Sequence, residues 1–120
     1  MAQFAITHNP AANAQATISQ AAAPAGVKNV CEGISFCFSA STALGGITTV
    51  TVNLRDGATG VGTVLKSWQF TLPAATIAPF QVSLSGLHIQ GSAATAMTLE
   101  FAAGVTNLLE NVSLDGYTQP

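Results

Sequence analysis

TTVTVNLRDGATGVGTVLKSWQF, residues 48–70, reads as a strand, a glycine-rich loop and a returning strand. In its first half Val50, Val52 and Leu54 share one parity, while Thr49, Thr51, Asn53 and Arg55 share the other. A period of two is the pattern of a strand with one buried face. Asp56-Gly57 is a turn signal, and Gly60 and Gly62 lengthen the turn into a loop. On the return, Val64, Trp68, Phe70 and Leu72 fall on one parity together with Lys66. A lysine in that phase either reaches out at a sheet edge or marks a small irregularity in the strand. The stretch holds the only Trp and two of the three basic residues.

Working outward, the same alternation recurs. Ile34, Phe36 and Phe38 alternate with Ser35 and Cys37 in a strand over residues 27–39, with a bulge expected at Glu32-Gly33. Phe80, Val82 and Leu84 alternate, Ser85-Gly86 breaks the phase, and Leu87 and Ile89 resume on the opposite parity; His88 then faces away from them. Met97, Leu99 and Phe101 make a further strand, and residues 108–117 the last, closed by Asp115-Gly116. Residues 10–23 admit two readings. Asn9 as a cap, Pro10 and many alanines suit a helix, but Ile18 is its only large apolar residue, so a short edge strand at 16–19 is preferred. Residues 1–14 read as an extended arm carrying Phe4, Ile6 and His8, and 15–120 as one domain. Seven or eight short strands with regular turns predict an all-β antiparallel sandwich or jelly roll with an extended N-terminal arm.

The composition fits one core. A chain of 120 residues buries enough surface to fold without staples. It is 48% hydrophobic and only 7% charged, with net charge −2. A surface covered by neutral polar groups repels neighbours poorly, which favours association. No basic cluster exists for nucleic acid, and the apolar runs fall far short of the roughly 20 residues of a membrane span. The first residues, MAQFAITHNP, have no secretory pattern, so the expectation is a chain made in a cytosol. Cys31 and Cys37 sit on one strand at ~20 Å, too far apart to bridge.

Catalytic chemistry finds no framework, and an enzyme is not expected. His8 and His88 lack the context of a triad. Asp56 and Asp115 precede glycines and read as turn residues, while Glu100 opposes Leu99 and Phe101 and should face outward. No D-x-D-x-D spacing supports calcium, and two cysteines without a nearby histidine make no zinc site. The glycines at 57, 60 and 62 lack the Lys-Ser/Thr of a phosphate loop and read as a flexible hairpin loop. Neither a cofactor nor a metal is therefore predicted. Trp68 shares parity with the core residues, and its alternative role is an interface anchor.

The wording TVNLRDGATGVGTVLKSW, with THNPAANAQATISQAA and GVKNVCEGISF before it, resembles a group of small tailed-phage virion structural proteins of head decoration (cement) type. The resemblance covers residues 7–72 and includes no catalytic motif. It implies a β-sandwich that binds the major capsid protein, or another virion protein, on the assembled shell. It also implies a dimer or trimer, and a virion location after assembly in the bacterial host cytoplasm. Phe4, Ile6 and His8 on the arm, Arg55, Asp56 and Thr59 at the loop, and Trp68 and Tyr117 are the candidate contacts. The alternative is a tail or head-fibre adhesion module that binds a host-surface glycan through Trp68 or Tyr117.

Overall fold

The computed structural model describes residues 2–120, and among them nine strands and no helix. They are β1 (Gln3–His8), β2 (Thr17–Gln20), β3 (Lys28–Ala40), β4 (Thr48–Asp56), β5 (Thr63–Leu72), β6 (Ile77–Leu84), β7 (Ile89–Ala93), β8 (Met97–Phe101) and β9 (Leu109–Gln119). Sheet A runs β1-β9-β3-β6, with β7 also on β3; sheet B runs β2-β8-β4-β5. Every pairing is antiparallel. The protein is a two-sheet β-sandwich.

The quoted hairpin is the β4–β5 pair of sheet B. Val50 lies opposite Phe70 and Val52 opposite Trp68, and their shared face looks into the sandwich. The phase problem at Lys66 is resolved by a bulge: Leu54 pairs with Lys66 and Arg55 with Val64, so Leu65 is the extra residue. On β3 the expected bulge is present. Cys31 pairs with Gly116 and Gly33 with Asp115, which leaves Glu32 unpaired.

Between the sheets, Phe36 is the hub. Its ring lies 5.8 Å from Trp68, 5.8 Å from Phe70 and 6.1 Å from Phe101, the last edge-to-face. Ile34, Leu54, Leu99, Leu108, Val112 and Leu114 complete a fully buried layer. Such aromatic pairs add about 0.5–1.5 kcal/mol each beyond the area they bury.

Two expectations need correction. The extended segment read as an arm is strand β1, lying on the domain's own flank in unbroken register with β9 from Gln3–Tyr117 to His8–Val112. Residue 14 is therefore no boundary, since the chain on both sides of it belongs to the sandwich. Asp115-Gly116, read as a closing turn, lies inside β9. Gly116 is there because β3 closes on it and Phe4 crosses it: a β-carbon would run into the Val30 carbonyl and meet Phe4 Cζ at 2.8 Å. Its glycine answers a tertiary contact and has no turn to make.

Candidate functional site

The loop after β4 is where the sequence points first. On the outer face of sheet B, register places Glu100 between Thr17 and Asn53, with Arg55 beside Thr98. Parity does turn Glu100 outward, yet it is 1% exposed. The reason is that residues 57–62 fold back over the sheet. Glu100 Oε1 accepts from Arg55 Nε and from the Gly60 N–H, both at 2.8 Å, and Arg55 Nη1 donates to the Gly62 carbonyl at 2.7 Å. Thr98 Oγ1 donates to the Gly57 carbonyl, and the Thr59 and Thr17 hydroxyls meet at 2.7 Å. Gly57 adopts a φ of 133°, a region closed to other residues, which permits the fold-back.

Asp56 is occupied as well. Its Oδ1 accepts the Ser92 N–H at 2.9 Å and its Oδ2 the Ser92 hydroxyl at 2.6 Å, so it ties β4 to β7 across the two sheets. The expected flexible loop is thus a pinned roof. Arg55, Asp56 and Thr59 spend their polar groups inside the protein, and Val61, 84% exposed, stands out at the tip.

The remaining candidates divide. His8 is half-buried and its Nδ1 accepts the Thr17 N–H at 3.2 Å, which fixes the proton on Nε2. Phe4 and Ile6 pack partly against the core from the edge of sheet A. Trp68 turns to Phe36 and is half-buried at the edge of sheet B, as its parity requires.

Tyr117 and Phe4 come together at one end of sheet A. There the β3 bulge throws Glu32 outward, and Asp115 leans over Gly33 so closely that a β-carbon on Gly33 would lie 2.9 Å from its Oδ1. His88 sits in a loop at φ 50°, where a strand residue was expected; its Nδ1 is 3.1 Å from the Tyr117 hydroxyl and 3.2 Å from Glu32 Oε2. Beside this contact Gln3, Phe4, Glu32, Asp115, Gly116 and Tyr117 line a depression of about 470 Å³. Beneath it Cys31 is fully buried, and burial, with the charges of Asp115 and Glu32, pushes its thiol up to about 12.

A third feature went unread in the sequence. Strands β5 and β6 are the free edges of the two sheets on one flank, where Phe38, Phe70, Leu72, Ile77 and Phe80 line a cleft of about 370 Å³. The rings of Phe38, Phe70 and Phe80 lie 5.3–5.4 Å apart pairwise. Phe80 is 45% exposed and Leu84 and Val64 nearly as much, with Lys66 the one charge along both strands. Alternation marked Phe80 and Leu84 as core-facing. Their exposure follows from the strand order, which leaves β6 without an outer neighbour.

No family model matches the chain, and no curated protein matches it in sequence. Among solved structures, an arabinose-bound GH51 α-L-arabinofuranosidase is similar over 98% of this chain at 15% identity and TM-score 0.45; the chain spans 23% of that protein. A CBM4 structure is similar over 98% of this chain and 70% of its own, at 13% identity and TM-score 0.42. Tobacco streak virus coat protein is similar over 98% and 87%, at 9% identity and TM-score 0.39.

Proposed function

We propose that the protein is a non-catalytic virion structural protein of the decoration type, which binds an assembled capsid shell and stiffens it. The observation that carries this reading is the β5–β6 flank. An aromatic cleft there lies between two sheet edges, with Phe80 and Leu84 in solvent. Soluble monomers rarely leave a contiguous apolar stripe open, and such stripes mark protein contacts. The low charge of the chain removes the repulsion that would keep a second protein away. The polar groups under the loop are committed inside the protein, Arg55 to Glu100 and Asp56 to Ser92.

The test is co-sedimentation with undecorated capsids. Saturable, stoichiometric uptake is expected, and Phe80→Asp, placed at an exposed position, should abolish it without unfolding the sandwich. Absence of saturable uptake rejects the reading.

One observation favours an adhesion role as the second reading. Tyr117, Glu32, Asp115 and Gln3 surround an open depression with the mix of aromatic face, carboxylates and amide that suits a sugar. Binding to host envelope preparations, lost in Tyr117→Ala but kept in Phe80→Asp, would support that role over the shell.

A further inference from the structure

The flanks of a sandwich are its exposed edges, and edges carry unpaired backbone groups that invite another strand. This protein guards three of its four flanking edges. On β5 the inward-phase Lys66 and the Leu65 bulge interrupt the edge. The β6–β7 side carries Pro79 and register shifts at both of its pairings with β3. The edge strand of sheet B on the opposite side, β2, has only four residues. Strand β1 has none of these devices. It is six residues, QFAITH, with no proline, no Lys, Arg, Asp or Glu, and no shift in its register with β9. Among the described residues no strand pairs with its outer edge.

We propose that β1 is the contact edge of a two-fold dimer, in which a second copy pairs its own β1 antiparallel to this one and joins the two A sheets. The strand is self-complementary in one register. With Ala5 opposite Ala5 of the partner subunit, Phe4 faces Ile6 of the partner subunit on the inner side. On the outer side Gln3 faces Thr7 of the partner subunit. Apolar meets apolar, polar meets polar, and the smallest residue sits on the axis. A two-fold contact requires such self-matching, because the same patch serves both copies.

Nothing on the strand repels a copy of itself. Asp115, the nearest outward acid, pairs with Ala5 one strand inside the edge. It would stand ~14 Å from its counterpart across three strand spacings, beyond the Debye length at physiological salt. The pairing supplies about six backbone hydrogen bonds. It also covers Phe4, Ile6 and Ile18, which are all half-buried on that flank. A single pair of six-residue strands is a small contact beside the roughly 2,000 Å² or more of an obligate dimer, so the dimer is reversible and its fraction grows with concentration.

The inference does not depend on shell binding, since it concerns the opposite flank of the sandwich. Ala5 is exposed, and substitution there leaves the core untouched. In a Cys37→Ser background, Ala5→Cys should oxidise to a disulfide-linked dimer in high yield, while Thr7→Cys, which faces Gln3 of the partner subunit, should cross-link far less. Ala5→Glu and Ala5→Lys should each sediment as monomers, because like charges would stand directly opposite each other. Mixed, the two should recover a one-to-one dimer. A wild-type chain that stays monomeric at every concentration overturns the proposal. So does equal cross-linking at positions 5 and 7, or an Ala5→Cys chain that cross-links only to some other protein.

Discussion

Glu100 Oε1 sits 2.8 Å from Arg55 Nε and 2.8 Å from the Gly60 nitrogen, so one carboxylate oxygen holds both the strand and the loop that covers it. Removing Arg55 strands a buried charge, which typically costs about 3–5 kcal/mol. Arg55→Met should lower stability by that order in urea unfolding and make residues 57–62 a site of early proteolysis. A loss below about 1 kcal/mol would mean that the pair is worth no more than a surface one.

Glu110 is fully buried, and its Oε1 accepts the Ala16 N–H at 3.0 Å. Burial raises its carboxyl from 4.5 to about 7, partly offset by that hydrogen bond. The native state then holds a proton that the unfolded chain has released, so stability falls as pH rises from about 4.5 to about 7 and is flat above. The span corresponds to about 3 kcal/mol. Glu110→Gln should flatten this part of the stability–pH curve measured by thermal unfolding. A curve that keeps its slope would assign it to other groups.

The two cysteines should differ sharply in reactivity. Cys31 is fully buried with its thiol pushed up to about 12, whereas Cys37 is partly exposed on the outer face of β3. Thiolate is the reactive species. A disulfide reagent should therefore titrate one thiol in the folded protein and the second only on unfolding. Two thiols reacting at one rate would place Cys31 within reach of solvent.

Gly116→Ala should disturb both strands that flank β9, β3 at Val30 and β1 at Phe4. The added methyl would run into the Val30 carbonyl and press on the tip of the Phe4 ring. Overpacking of this kind costs about 1–3 kcal/mol. Amide hydrogen exchange should quicken around Val30 and over Gln3–His8 more than over β6. Uniform quickening would show that the strain spreads through the whole sheet.

What the residues disclosed in advance follows from how far each cause reaches along the chain. Alternation over Val50, Val52 and Leu54, and the phase break at Glu32-Gly33, are local, and strands β4, β5 and β3 were legible from them. Phe4 and Ile6 marked an extended segment, but its partner lies more than 100 residues away on β9, so its place in a sheet was not legible. Asp115-Gly116 misled because Asp-Gly is turn chemistry in isolation, and the approach of the Val30 backbone and of Phe4 gives the glycine another reason. The candidates Arg55, Asp56 and Thr59 were picked for lying on a loop. Their partners Glu100, Ser92 and Thr17 come from three other strands, and nothing near residue 56 announces them. The Phe80 cleft depends on which strand ends a sheet, a property of strand order that alternation does not encode.

Sheet A places β9 between β1 and β3, so the last strand of the chain fills the middle of a sheet whose other members precede it. Contacts of such long sequence separation form slowly, because the loop-closure entropy is lost before the contacts reward it. During synthesis β1 and β3 must wait, each with an edge open, until Leu109–Gln119 has left the ribosome. Until then the QFAITH strand can pair with any similar strand in reach, and the crowding of copies on a polysome sets how often it does.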